Sequence, residues 1–295
     1  MPGSLKMDMA INTDLLQLPA ASERSIGRLL LEAGKIGAAD ADRILHAQKE
    51  SGLRFGEAAI QLGLVTDQDI HDVLSRQFDY PCLPPNSEAL DPELIAAFHP
   101  RDPKVEALRV LRSQLALRWY AEHKAMIVTA ARGGQGASHV AANLAVVFSQ
   151  LGERTLLVDA DLRNPRQHHL FRQQNSPGLS DILAGRAGVD RIRRVAGMEN
   201  LALLTAGTVP PNPQELLGRP AFADLLNTVD AQYDVILVDT PPALDCSDAQ
   251  TLGSRIGGTL IVARRHHAKT ADIEAIQRQM AIAGAVAVGA VLNEF

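Results

Sequence analysis

AMIVTAARGGQGASHVAANLAVVFSQLG, residues 125–152, is the stretch whose reading decides the fold. A short aliphatic run, Met126 to Thr129, leads into a loop with glycines at 133, 134 and 136, and an apolar stretch from His139 follows that suits a buried helix. Strand, glycine loop, helix is the order that turns backbone N–H groups and a helix dipole onto a phosphate. Arg132, Gly133, Gly134, Gln135, Gly136, Ala137, Ser138 and His139 are therefore the candidate phosphate-binding residues, with a merely structural strand-to-helix turn as the competing explanation. One residue departs from the pattern. A Lys normally precedes the Ser or Thr and reaches the β- and γ-phosphates, and here that position is Ala137, a methyl group.

Working outward, aliphatic runs alternate with amphipathic stretches to the C-terminus. The expected strands are Met126 to Thr129, Thr155 to Asp159, Leu201 to Thr205, Val235 to Asp239, Thr259 to Ala263 and Val286 to Leu292. Near-continuous aliphatic strands separated by helices give a doubly wound parallel-sheet α/β domain, with its ligand site at the carboxyl ends of the strands. Two of those ends carry carboxylates, in LLVDADLR (Asp159, Asp161) and VILVDTPP (Asp239). Carboxylates at adjacent strand ends can hold Mg²⁺ and orient or deprotonate a hydroxyl; the same residues could instead cap the helices that follow.

The stretch from about Lys104 onward resembles the bacterial tyrosine kinases of polysaccharide export, relatives of the MinD and ParA ATPases with a deviant P-loop. The matching segments are ANLAVVFSQLGERTLLVDADLRNPRQH, AGTVPPNPQELLGRP, YDVILVDTPP and GAVLNEF, and the likeness is greatest to the chain-length-determinant type, EpsG. The resemblance implies a P-loop NTPase domain over 104–295 that binds ATP or ADP with Mg²⁺. It implies Asp159 and Asp161 as the second Walker motif with Asp159 as base, Asp239 as the Walker B acid, Ser138 as the Mg²⁺ hydroxyl, and Arg132 in place of the deviant motif's signature lysine; Ser138, Asp161 and Asp239 would hold the metal. Glu106, Arg109 and Arg112 match the family's oligomerisation motif, implying a homo-oligomer; read alone, these residues share one helical face and could pair at i, i+3. The implied partner is a membrane chain-length determinant, a polysaccharide co-polymerase. Tyr80, Tyr120 and Tyr233 are scattered and the sequence ends at Phe295, so no tyrosine-rich tail is expected as phosphoacceptor.

Upstream lies an internal repeat. SIGRLLLEAGKIGAADADRILHAQ (25–48) and RFGEAAIQLGLVTDQDIHDVLSRQ (54–77) superpose at an offset of 29 residues, aligning Gly27 with Gly56, Gly34 with Gly63 and Gln48 with Gln77. Each block reads as helix, glycine C-cap, helix, with Thr66 and Asp69 as a capping pair, so a small all-α tandem-repeat domain over 24–80 is expected. Residues 1–23 read as a mobile tail, and the prolines between 81 and 103 as a connector. The repeat resembles the N-terminal domain of type II secretion and pilus ATPases, in the subtype that binds cyclic di-GMP. That implies Arg24, Gly27, Arg28, Gln48, Arg54, Gly56 and Gln77 as contacts, although Ser25 stands where the first block should carry Arg. A docking module that has lost this ligand is the alternative.

Composition narrows the rest. With 46% hydrophobic and 21% charged residues the chain is not disordered, and 4% aromatics means cores of Ala, Leu, Ile and Val. A net charge of −5, and seven basic against eight acidic residues between 24 and 77, leave no footprint for nucleic acid. Two distant cysteines, Cys82 and Cys246, fit a reducing compartment, and the first residues lack an apolar signal core. A cytoplasmic protein without direct membrane insertion, held at the inner membrane through its partner, is the expectation. The pairs His168-His169 and His266-His267 read as solvated surface rather than metal ligands.

Overall fold

A computed structural model describes residues 26–67, 69, 70, 73, 81–84 and 86–294. The chain divides into two compact units with the boundary after Asp79. The expected tail at 1–23, together with Arg24, Gln77 and Tyr80, lies outside the described residues.

The larger unit is built on one seven-stranded sheet: β1 (Ala125–Ala130), β2 (Thr155–Asp159), β3 (Arg193–Val195), β4 (Met198–Leu204), β5 (Val235–Asp239), β6 (Gly258–Arg264) and β7 (Val286–Asn293). Their order is β3-β4-β2-β5-β1-β6-β7, parallel throughout except for β3 against β4. The alternation of side chains along each strand divides the core in two. Val128, Leu157, Leu237 and Leu260 face one apolar layer, and Ile127, Leu156, Ile236 and Ile261 the other. A sheet covered on both faces is why β2 and β5 are buried at every position. The expected strands are all present; β3 is an addition. Its three residues, two of them arginines, have no apolar run to reveal them, and they pair only as an antiparallel edge.

Helix α6 (Ala137–Ser149) follows β1 and buries ten consecutive residues from Val140. It lies between the sheet and α5 (Pro103–Leu115), which Asp102 caps by accepting from Lys104 N at 2.8 Å. Each fully buried Leu, Val or Phe on α6 contributes about 1.5–3 kcal/mol.

The stretch 81–103, expected as a connector, is part of this unit. Leu90, Leu94 and Ala96 to Phe98 are buried, the last three in the short helix α4 (Ile95–Phe98). The wholly buried Asn143 of α6 accepts from Ala96 N at 3.0 Å and donates to Glu93 O at 3.1 Å. Gln150 donates to Pro81 O at 2.9 Å and Ala96 O at 2.8 Å. The prolines set the turns while the residues between them fill the core.

The smaller unit contains α1 (Ile26–Glu32), α2 (Ala38–Ser51) and α3 (Phe55–Gln61). Its backbone hydrogen bonds recur: Gly34 N to Leu31 O and Lys35 N to Leu30 O match Gly63 N to Ile60 O and Leu64 N to Ala59 O. Gly34 and Gly63 both take left-handed φ, +66° and +67°, where a side chain would be strained. Thr66 and Asp69 bond reciprocally as a capping pair, and Lys35 meets Asp69 at 2.7 Å. Lys35 and Thr66 together pull the Asp69 carboxyl down to about 2.

Candidate functional site

The loop after β1 owes its shape to two left-handed glycines, Gly134 (φ +78°) and Gly136 (φ +90°). A Cβ built on Gly133 or Gly134 would meet nothing within 4 Å, so the glycines open onto empty space rather than onto protein. The loop is held from behind. Gln135 Oε1 accepts from Ala131 N at 3.2 Å, Asn293 Nδ2 donates to Gln135 O at 3.2 Å, and Arg264 donates to Gly134 O at 3.3 Å. Gln135, expected among the ligand contacts, thus uses its side chain inside the loop. The first turn of α6 adds N–H groups with no intrahelical acceptor. Above them is a cavity of about 400 Å³, walled by Gly133 to Ser138, Asp161, Arg163, Arg166, Thr240 and Asp245.

Asp159 and Asp239 stand side by side in the β2–β5 register, at the strand ends facing this cavity. They do different work. Asp159, fully buried, accepts from Asp161 N (3.2 Å), Arg166 N (3.1 Å) and Gln167 N (2.9 Å), and so organises the turn that follows β2. It is not on the cavity wall; Asp161 is, and it accepts from Asn164 N at 2.8 Å and Arg163 N at 3.1 Å. Asp159, expected as the base, is thus buried away from the cavity that Asp161 lines. Asp239 Oδ2 accepts from Gln167 Nε2 at 2.7 Å, and that amide also donates to Ser138 O at 3.1 Å.

Burial pushes all three carboxyls up. For Asp159 the Asp239 charge adds to it, and Asp239 itself rises to about 7, the Gln167 amide and the nearby Ser138 hydroxyl offsetting only part of the burial. Asp239 Oδ1 is buried without a hydrogen-bond partner of good geometry. An orphaned carboxylate oxygen beside a phosphate-sized cavity fits a divalent cation. Among the described residues no group of three His, Cys, Asp or Glu side chains could hold a metal alone. Mg²⁺ is commonly held by one or two carboxylates together with water and substrate phosphates.

Three arginines that the loop motif gave no reason to single out, or singled out differently, ring the cavity. Arg163 makes a bidentate pair with Asp248, at 2.8 and 3.0 Å, and the Asp248 side chain is 0% exposed. Arg166 reaches both oxygens of Glu93, at 2.7 and 2.6 Å. Arg132 turns outward towards Asp245 at 3.5 Å and Asp272 at 3.9 Å. His139 lines a different cavity, of about 460 Å³, with Glu93, Lys104, Arg166, Arg264 and Asn293. Expected among the phosphate contacts, it lies behind them because its place on the first turn of α6 faces Glu93, 3.9 Å away.

Of the expected oligomerisation residues, Glu106 and Arg109 pair with each other at 3.0 Å, and Arg112 donates to Val147 O at 2.9 Å within the same chain. In the smaller unit Arg28 pairs with Glu32 at 2.8 Å, Arg54 caps α3, and Gln48 lies in the last turn of α2. Gly27 and Gly56 are packing positions: a Cβ on Gly27 would come within 3.0 Å of the Phe55 ring, and one on Gly56 within 3.3 Å of Ile70.

Residues 123–255 match the AAA domain family. The chain is 36% identical over 201 residues to a Klebsiella pneumoniae protein named a putative tyrosine-protein kinase in cps region, covering 68% of this chain and 28% of that one. The chain therefore spans little more than a quarter of the curated relatives it matches. Among solved structures, the kinase domain of Escherichia coli tyrosine kinase ETK is 34% identical, with a TM-score of 0.67 over 71% of this chain and 82% of that domain. The cell division ATPase MinD of Pyrococcus furiosus is 27% identical, with a TM-score of 0.50 over 58% of this chain and 71% of that one.

Proposed function

The chain belongs to the bacterial tyrosine-protein-kinase family, and from that premise we propose that its sheet unit binds ATP and ADP with Mg²⁺ and serves as a kinase-like regulator of exopolysaccharide chain length and export. The observation that carries the nucleotide reading is the open glycine loop, which walls one cavity together with Ser138 and Asp161. Ser138, Asp161 and Asp239 are the residues that would hold Mg²⁺, which supplies charge neutralisation to the phosphates. In phosphotransfer, a tyrosine oxygen would bond to the γ-phosphorus as the bond from that phosphorus to the β–γ bridging oxygen breaks. ADP would leave, and the phenolic proton would pass to a carboxylate of this cluster that does not hold the metal.

Ala137 argues that this step is slow. Loss of one preorganised charge donor costs on the order of 10² to 10³ in rate. The tyrosines of the described residues offer no substitute substrate in the fold itself, since Tyr120 is half-buried edge-on against Phe148, with ring centroids 5.1 Å apart and its hydroxyl enclosed, and Tyr233 is half-buried. Nucleotide occupancy, more than turnover, is then the signal, read by a membrane chain-length determinant at the cytoplasmic face; no helix among the described residues is long and apolar enough to cross a membrane. Self-association through α5 belongs to this proposal. So does assignment to the chain-length-determinant type. For the smaller unit we propose docking. Its motif glycines are accounted for by the contacts to Phe55 and Ile70, which leaves a cyclic di-GMP site without an observation in its favour.

The test is calorimetric titration of the full chain with ATP and ADP, with and without Mg²⁺. Binding that strengthens with Mg²⁺ and is lost in Asp239→Asn supports the reading. No binding at millimolar nucleotide sinks it.

A further inference from the structure

We propose that Arg166 supplies the phosphate-facing positive charge that Ala137 lacks. The proposal rests on the nucleotide reading above and goes beyond it by naming the residue that compensates.

Three arginines border the loop cavity, and what each would give up decides between them. Arg163 is committed: its partner Asp248 is wholly buried, so withdrawing the guanidinium would strand a charge away from water. Arg132 also lines the cavity, but its guanidinium lies between two acids, Asp245 and Asp272, at 3.5 and 3.9 Å. Arg166 is held differently. Its backbone N–H is fixed to Asp159 Oδ2 at 3.1 Å, which anchors the residue beside the carboxylates. Its guanidinium contacts Glu93, and the two side chains are 46% and 48% exposed, so the pair is cheap to break.

Arg166 also occupies the right place. It borders both the loop cavity and the His139 cavity, and the loop glycines Gly134 and Gly136 separate the same two spaces. A triphosphate in the loop cavity offers this guanidinium a more highly charged, bidentate acceptor than one half-exposed carboxylate. Arg166 therefore exchanges Glu93 for phosphate when nucleotide enters, supplying from the β2 side the charge for nucleotide binding that a lysine at 137 would give from the loop, but not that lysine's part in the transfer step.

The experiment is a double-mutant cycle on the full chain, with Mg²⁺-ATP and Mg²⁺-ADP affinities measured by calorimetry for wild type, Arg166→Ala, Ala137→Lys and the double variant. Arg166→Ala alone is expected to weaken ATP about tenfold or more, and ADP less. In the Ala137→Lys background the same substitution should cost less than about threefold, because the charge has been restored. Equal losses in both backgrounds, or no loss in either, would overturn the proposal. Glu93→Gln removes the resting partner without touching the guanidinium and should leave ATP affinity equal or tighter; if it weakens ATP as much as Arg166→Ala does, the bridge matters rather than the phosphate charge, and the proposal fails. Wild type that binds neither nucleotide would instead bring down the nucleotide reading on which it stands.

Discussion

Two sets of glycines, one in each unit, look alike in the sequence and do opposite things. Gly133 and Gly134 face open space, while Gly27 and Gly56 are pressed against Phe55 and Ile70. Glycine removes a side chain in both cases, but in the sheet unit the room is left for a ligand and in the helical unit it is filled by a neighbouring helix. The surroundings of a missing Cβ, more than the spacing of the motif, tell these open loop positions from packing contacts; Gly34 and Gly63 of the helical unit, also open, serve left-handed turns.

The largest expected effect restores what the loop lacks. Ala137→Lys should raise phosphorylation of an added tyrosine peptide by about 10² to 10³, measured with labelled ATP. A wild type as fast as the variant would show that the lysine's role is already filled. Next, Gly27→Ala should destabilise the helical unit by about 1–3 kcal/mol in denaturant titrations, since the Phe55 ring must move, and leave nucleotide affinity unchanged. Gly133→Ala is its mirror image: unfolding free energy should stay within about 0.5 kcal/mol, whereas ATP affinity falls roughly tenfold because the new methyl occupies the phosphate's approach. Should the two substitutions exchange their effects, the contrast between the units is wrong.

The smallest effect is in pH. The folded state holds the Asp239 proton up to about 7, well above its unfolded value. Stability from this group is therefore complete in acid and is lost as pH rises through about 7. Without nucleotide, the melting temperature of the sheet unit should drop by a few degrees between about pH 6 and pH 8. Mg²⁺-ADP should diminish that drop, because the cation takes the proton's place, and Asp239→Asn should reduce it, leaving the part due to Asp159 and Asp161. A melting temperature that is flat or rising across this range would contradict the burial argument.

The sheet was legible because β1, β2 and β5 are uninterrupted aliphatic runs that end in chemically distinctive residues. The loop was legible for the same reason, as its glycines sit between a strand and a helix. Position in the chain could not divide the labour among the carboxylates. Asp159 and Asp161 are two residues apart, yet one is sunk beneath three N–H donors and the other walls the cavity. Gln167 and Arg166 carry no motif of their own; they matter because the turn after β2 brings them onto Asp239 and Glu93, which are distant in sequence. The segment 81–103 misled through its prolines, which announce a linker, while Leu90, Leu94 and Phe98 between them meet the core.

That segment fixes where the protein can be cut. Because Asn143 and Gln150 bond to residues 81–96, a fragment begun at residue 104 would strip those hydrogen bonds from two buried amides and bare an apolar face along α6. An expression fragment, or a natural gene fusion that swaps the helical unit for another module, must therefore join upstream of Pro81. The proline-rich stretch after the unit boundary travels with the sheet unit.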